Sequence, residues 1–583
     1  MPRDDHFQDI SVTGNVSPSE TTRITNDWVP FTSATEDLGT SALRWRKLWV
    51  QDVDASGVLT GFSTADTPGS IQHVDSVTGS DADNGLSWVN AKVSLSAAFA
   101  ALPSTGGIVY SAGNQTLSSD PFTGMTKNVQ VILLSGTTTC NVAVTVPLNV
   151  TLEIRKGALV HAATGITVQV NGEVIAPFAM QCFSRAGTGV VLVTARAQGG
   201  EYSARWWGAI GDGATDDSGA FQQAISSAQA NAGGGYVRVT PSPTFSFYRT
   251  TTALTFSAPP QARHCVLYLQ NGIHVNGDLV LPTGWHIWGA PGGANSAGAF
   301  LSDLATRVVG QTGTITEAII KFNSANQGTL KNIDISWNGT STASCIYIKG
   351  GANIKLDGVF AALSNADTAN TCVKIEGPAQ QVYAYNSVFS SGNQVTSQPV
   401  IDIYGVGGQT NAGNTYFEDC VFVNHGIRNR AGGNGGFGGM VLNRCLHESV
   451  LSATVQVDTT SSSGTRWVFI QTNQSDLAAT TGKALWEHTA GIFPCSDLTF
   501  IGCAEPIGVG HYVDNTLAQN RITNVFIGAN QNNGVNLRPT FNRFVSRTLP
   551  KHGFSSPVLA ATPYEILGTG LVGSQLVAGM QFP

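Results

Sequence analysis

Seven side chains in the second half of the chain have the chemistry for acid–base work: Glu418, Asp419, His447, Glu448, Glu487, His488 and Glu505. A carboxyl group that keeps its proton can protonate a leaving oxygen while a second, ionised carboxylate activates water or attacks a sugar carbon, and together they cleave a glycosidic bond. Abstraction of the proton beside a uronate carboxyl group needs one base and a cation to neutralise that carboxylate. Glu448, Glu505, His447 and Glu418 are the catalytic candidates, with Glu448 the natural acid partner of the adjacent His447. None lies in a motif that fixes its role, and the bland alternative for each acid is a solvated surface or corner position. Tyr383, Tyr385, Trp467 and Trp486 offer flat apolar faces that could stack on sugar rings, and Tyr404 and Tyr512 belong to the same set, although some of these will be core.

Residues this scattered need a scaffold that brings distant segments side by side. Residues 206–239, WWGAIGDGATDDSGAFQQAISSAQANAGGGYVRV, announce one. Thr215, Asp216, Asp217 and Ser218 can accept hydrogen bonds from the free N–H groups of a first helical turn, and the two carboxylates complement its dipole. Ala220, Phe221, Ala224, Ile225 and Ala228 recur at the spacing of one buried helix face, leaving Gln222, Gln223, Ser226 and Ser227 to point away. Gly233, Gly234 and Gly235 end the helix, and Tyr236 to Val239 alternate as a strand. A helix here would cover the apolar end and unpaired strand edges of a solenoid's first coil.

The W-x-GA-x-GDG-x-TDD block, the helix and the GGG-x-V-x-V return resemble the opening of the pectate-lyase-like single-stranded right-handed β-helix proteins, a family that includes phage tailspikes and polysaccharide depolymerases. The close match spans about forty residues and the rest only as a pattern, so it speaks for fold more than for activity. The resemblance implies an all-β fold, a right-handed parallel β-helix with a helix cap, a structural role for Asp212, Asp216 and Asp217, and a homotrimer.

A solenoid must repeat. Aligning LDGVF, YNSVF, EDCVF, NRCLH, IGCAE and IGANQ puts Asp357, Asn386, Asp419, Arg444, Gly502 and Gly528 at equivalent corners, separated by 29, 33, 25, 58 and 26 residues. Since 58 is two coils, the period is near 28. Gly358, Ser387, Cys420, Cys445, Cys503 and Ala529 then form a column of small residues, which makes the thiols packing elements. Phe360, Phe389, Phe422, His447, Glu505 and Gln531 form another, whose change from aromatic to polar means either that the coil opens to solvent or that the register slips. In this register His447 and Glu505 stand two coils apart, about 9.6 Å along the axis.

The nine cysteines form no CxxC pair and no Cys/His metal spacing, so neither disulfides nor a metal nor any other cofactor is expected. Only 12% of residues are charged, the net charge is −7, and no basic stripe interleaved with aromatics is present, which argues against nucleic acid as a partner. The first residues, MPRDDHFQDISVTG, lack the pattern of a secretion signal, and no stretch approaches the roughly 18 apolar residues of a membrane span. Membrane insertion is not expected. A protein that assembles in a host cytoplasm and resides in the virion tail is.

Five regions follow. Residues 1–62 contain LG-x-S-x-x-RW-x-x-LW followed by a D-x-x-G-x-L-T turn, which resembles the hairpin repeats of phage tail fibres. This region is a virion-attachment head in which Trp45, Leu48 and Trp49 face a trimer axis or an adaptor protein; a hairpin flap on the body is the alternative. Residues 63–70 are a linker, 71–200 a small β domain, 201–543 the β-helix, and 544–583 a cap or trimerisation tail. In the small domain, Asp81, Asp83 and Asn84 read as a turn and not as calcium ligands, and a short helix is expected over about Ser94–Leu102. The glycine-rich Asn429–Met440 segment would rim a groove. The whole reads as a phage tailspike that recognises, and further cleaves, host surface polysaccharide. A receptor-binding spike without catalysis and a cellular polysaccharide lyase or hydrolase are the alternatives.

Overall fold

The computed structural model describes residues 70–546 except for short segments, the longest being 291–305, 405–413, 431–438, 476–484 and 504–512. All of these residues belong to the second of two compact units, Thr64–Pro583. Trp45, Leu48 and Trp49 with the 1–62 head, Glu505, Tyr512, and the tail beyond 546 lie outside the described residues.

The described chain is a parallel β-helix: successive coils stack in register, and strands repeat along the axis in long parallel sheets. The small β domain is itself a short solenoid of three parallel sheets, with strands such as Asn128–Leu133, Gly136–Cys140 and Val144–Val146 turning one coil. Val129 lies opposite Val150 and Leu152 opposite Val174, a step of about 22 residues. Alternation sends Val131, Leu152 and Ile154 inward, where each contributes roughly 1.5–3 kcal/mol by leaving water. Helix α1, Leu95–Ala101, packs on the first strands. Asp81 fixes its start by accepting hydrogen bonds from Val93 N and Ser94 N at 3.1 and 3.0 Å, and Asn84 accepts one from Leu86 N at 3.0 Å, so these residues form the expected turn.

The opening block joins this short solenoid to the longer one. Trp206 and Trp207 are buried, and their indole N–H groups donate back to the carbonyls of Pro177 and Val191, both at 3.0 Å. Helix α2, Ser218–Ala230, buries the expected Ala220, Phe221, Ala224, Ile225 and Ala228. Gln223 and Ser227 are buried too, against expectation, for a physical reason. Gln223 Oε1 accepts from Val191 N at 3.0 Å and Ser227 Oγ from Val193 N at 3.1 Å, so the helix satisfies strand donors that have no further strand to meet.

The three aspartates of the block are structural. Asp212 accepts from Ala214 N and Thr215 N at 2.9 and 2.6 Å, bonds that hold its carboxyl down at about 2. Asp217 precedes the helix without capping it. It accepts instead from Ile210 N at 2.7 Å and from Gly211 N and Arg249 N at 3.3 Å, tying the turn to the next coil.

From Cys265 to Ala490 the described coils contribute to three faces. In one coil these are Gln380–Tyr385, Val388–Ser390 and Ile401–Tyr404; in the next, Thr415–Glu418, Val421–Val423 and Ile427–Arg430. The first two faces meet at one sharp corner, held with positive φ by Gly358, Asn386, Asp419, Arg444 and Gln471 in successive coils. The register therefore corrects two of the expected corners: Asp357 pairs with Tyr385, and Gly528 with Ile501, each one place off the corner column. The small inward column is Ser387, Cys420, Cys445, Thr472 and Cys503, all buried. Burial pushes the Cys420 thiol well above its ordinary value, as befits a packing element.

Phe389 and Phe422 stack inside, ring centroids 6.3 Å apart. Phe360 is not in that column, since it pairs with Val388 while Ala361 faces Phe389. His447 follows Phe422 and Gln474 follows His447. Neither solvent nor a slip explains the histidine. It is fully buried, with Nδ1 3.2 Å from Thr454 Oγ1 and Nε2 3.2 Å from the Asn424 carbonyl.

Candidate functional site

Alternation along a strand decides which candidates can meet a ligand. His447 points inward, so Glu448, its neighbour in the strand Leu446–Glu448, points outward on the second face. The pair cannot act on one substrate, which removes His447 and the partnership assigned to it. Trp467 and Trp486 are inward as well, at 0% and 1% exposure, and present no ring to a sugar. Glu487 and His488 lie in the strand Trp486–Ala490 of the third face. Glu418, Tyr383 and Tyr385 stand outward on the first face, away from Glu448.

The first face brings together an aromatic platform. Tyr383 and Tyr385 share a strand with near-parallel rings 6.4 Å apart, and Tyr416 on the following coil lies 6.5 Å from the first and 5.9 Å from the second. All three are half-buried. Lys355 from the preceding coil sits 5.0 Å from the Tyr385 ring centroid. Glu418 edges the platform. It accepts from Tyr416 Oη at 3.2 Å, Asn443 Nδ2 at 2.9 Å and Arg444 Nη2 at 2.8 Å. Arg444 also grips Asp419 through Nε and Nη2, both at 2.7 Å, which holds the Asp419 carboxyl below its ordinary range. The Tyr385 hydroxyl is pushed up, first by burial and then by the neighbouring tyrosines and carboxylates. Tyr416, Asn443 and Arg444 were missed as site residues, although the corner alignment placed Arg444 correctly.

Upstream the same face carries Tyr236, Tyr268 and Trp288, with Arg238, Lys331 and Asp357 in the same outward columns. Trp288 packs edge-on to Tyr236 at 5.9 Å, and His286 Nε2 lies 2.8 Å from His264 Nδ1. Burial and the neighbouring His264 lower His286 to about 4.

A second cluster occupies the third face and has no counterpart in the sequence reading apart from Tyr404. Asp402, 2% exposed, is ion-paired with Arg428 and Arg430. Tyr404 Oη lies 3.3 Å from Tyr347 Oη and donates to Glu376 Oε2 at 3.4 Å. Burial pushes the Glu376 carboxyl up. Lys321 and Lys349 flank the Tyr347 ring at 5.4 and 5.9 Å.

Fold and faces together define a parallel β-helix whose outward columns carry aromatic and charged side chains. No protein-family model and no curated protein matches the chain. Two solved structures are similar to it in fold. ORF18 of Geobacillus virus E2 is 13% identical, covers 66% of this chain and 71% of its own, and has a TM-score of 0.36. The family 28 exopolygalacturonase of Yersinia enterocolitica is 10% identical, covers 76% of this chain and 72% of its own, and has a TM-score of 0.29. At these values neither carries an argument about activity. No helix among the described residues is long and apolar enough to cross a membrane.

Proposed function

We propose that the chain is a phage tailspike that docks on the virion through its N-terminal region, assembles as a homotrimer, and recognises host surface polysaccharide along the first face of its β-helix. The observation that carries the recognition reading is the Tyr383–Tyr385–Tyr416 platform, three half-buried rings within 6.5 Å of one another. Such rings offer apolar area to the C–H face of a sugar while Glu418 and Asn443 remain to bond its hydroxyls. Support for the phage assignment comes from the opening block at Trp206–Val239 and the hairpin-like sequence at Asp37–Gly61.

Binding is the reading this face favours over cleavage. Glu418 already accepts from three donors, so in this arrangement its oxygens act as hydrogen-bond acceptors. Glu448 stands on another face. The test is titration of the purified protein with surface polysaccharide from its host, alongside an assay for new reducing ends. Tyr385→Ala should weaken binding about tenfold, equivalent to roughly 1.4 kcal/mol, with unfolding unchanged. Undiminished binding by Tyr385→Ala and Tyr416→Ala would discard the platform. Release of reducing ends would add cleavage and direct substitution to Glu448 and Glu505.

A further inference from the structure

Where the short solenoid gives way to the long one, the strand Phe183–Arg185 and the first turn of α2 border a cavity of about 130 Å³, room for more than one water. Arg185, Asp216, Gly219, Ala220 and Gln223 line it. Three N–H groups there have no acceptor among the described residues. Two are the backbone groups of Gly219 and Ala220, which belong to the set that a helix cannot satisfy by itself. Asp217 leaves them uncapped, because its carboxylate is turned to Ile210, Gly211 and Arg249. The third is the side-chain amide of Gln223, one turn along the same helix face and 7% exposed. Its Oε1 accepts from Val191 N, a further wall residue, at 3.0 Å, which fixes the amide at the cavity and leaves Nε2 without a partner among the described residues.

Arg185 adds a full charge. Its guanidinium stands so near the helix start that a Cβ on Gly219 would come within 2.8 Å of Nη2. Among the described residues it pairs with no carboxylate, and its one hydrogen bond goes to the Gly189 carbonyl at 3.5 Å. A cation beside the positive end of a helix dipole is repelled by it, and an anion between the two relieves both. Asp216 decides which anion. Its Oδ1 accepts from Ser218 N at 3.0 Å, from Thr251 N at 3.1 Å and from Ser218 Oγ, while Oδ2 has no described partner. Burial pushes this carboxyl up, but the hydrogen bonds from Ser218 and Thr251 outweigh it and hold the group at about 2, so it is ionised at neutral pH. A fully ionised sulfate would meet that carboxylate with no proton to give. Inorganic phosphate keeps a P–O–H at neutral pH and can donate it to Oδ2.

We propose that this junction is a binding site for inorganic phosphate, held by Arg185, the Gly219 and Ala220 N–H groups and Gln223 Nε2, and selected over sulfate by Asp216. A bound phosphate ties the last coil of the short solenoid to the helix that opens the long one, and stabilises the folded chain by mass action. None of these residues belongs to the tyrosine platform, so either reading can stand without the other.

The probe is inorganic phosphate, titrated by calorimetry into the full chain at neutral pH and constant ionic strength, with sulfate as the comparison. The parent should bind one phosphate per chain, and sulfate about tenfold more weakly or less. Arg185 is exposed, so Arg185→Gln should melt as the parent does in chloride buffer while binding phosphate about tenfold more weakly. Gly219→Ala should weaken binding to a similar degree, because the new Cβ displaces the guanidinium, yet keep or raise the melting temperature in chloride because alanine favours the helix. Asp216→Asn retains an oxygen for Ser218 and Thr251 and should bring sulfate level with phosphate. No binding of phosphate by the parent, equal binding of phosphate and sulfate by the parent, or undiminished binding by Arg185→Gln and Gly219→Ala would overturn the proposal.

Discussion

The short solenoid of residues 71–193 and the long one after Gly235 are built on the same rule and turn their corners differently. Before residue 324 every described residue with positive φ is a glycine, among them Gly136, Gly157 and Gly165. From it on ten described residues are not: Ser324, Gln327, Asn332, Asn353, Gln381, Asn386, Asp419, Asn424, Arg444 and Gln471. A side chain in that region of φ costs up to about 1–2 kcal/mol relative to glycine, less for Asn and Asp. The short coils avoid the cost. Some of them must, because a Cβ on Gly136 would come within 2.3 Å of the Gly113 carbonyl oxygen in the neighbouring coil. The long coils accept it from Ser324 on, and two of the side chains so placed act at the edge of the tyrosine platform: Arg444 donates to Glu418 while Asp419 holds Arg444. Among the described residues strain of this kind begins at Ser324 and runs through the coils that carry the tyrosine platform and the third-face cluster, whereas the upstream coils of Tyr236, Tyr268 and Trp288 show none of it.

The comparison is sharpest if inward and outward positions of the long coils can be separated. Trp467→Ala empties one of the largest fully buried side chains and should cost roughly 3–5 kcal/mol. Its glycan affinity, measured at a temperature where the variant is still folded, should match the parent. If denaturant unfolding instead shows a loss below about 1 kcal/mol, Trp467 is not the core element described here, and a role at the ligand surface reopens.

Acid should act on the long coils through their histidines. Burial holds His274, His286 and His425 below the ordinary value, His286 at about 4. Each is neutral in the folded state over a range where the unfolded chain binds a proton, so the stability they contribute is complete above about pH 6.5 and falls as pH drops toward 4. His286 alone accounts for at most about 3 kcal/mol of this by the usual conversion. His286→Gln should flatten the decline in melting temperature between pH 6.5 and 4 relative to the parent, and an unchanged slope would mean that the His264–His286 pair is not what titrates.

What sequence could show follows the same division. The helix, its glycine stop and the buried apolar positions of Ala220–Ala228 were legible because they are local and periodic. Gln223 and Ser227 were not, since their burial depends on the unpaired N–H groups of Val191 and Val193, more than thirty residues away. The coil period was recoverable from Asn386, Asp419 and Arg444, and the 58-residue gap implied one more coil, but its corner at Gln471 and Thr472 was not identified because neither residue resembles the Asn–Ser or Asp–Cys pair that it replaces. Tyr383 and Tyr385 could be proposed from their aromatic faces. The third-face cluster could not, because each coil supplies only one or two members and no segment holds more than a lysine–glutamate or arginine–arginine alternation.

The smallest effect tests the corner argument most directly. Asn386 is exposed at φ 47°, between the outward Tyr385 and the buried Ser387. Asn386→Gly removes the side chain and the left-handed penalty together, offset by the larger entropy of the unfolded glycine. The net change in unfolding free energy should stay within about 1 kcal/mol. Glycan binding should persist, because Asn386 meets Glu418 only through its backbone N–H, which donates to the Glu418 carbonyl at 3.0 Å and which glycine keeps. A loss of several kcal/mol would mean that this corner side chain is structural, and the two solenoids would then differ in how they are built and not in what their corners are free to do.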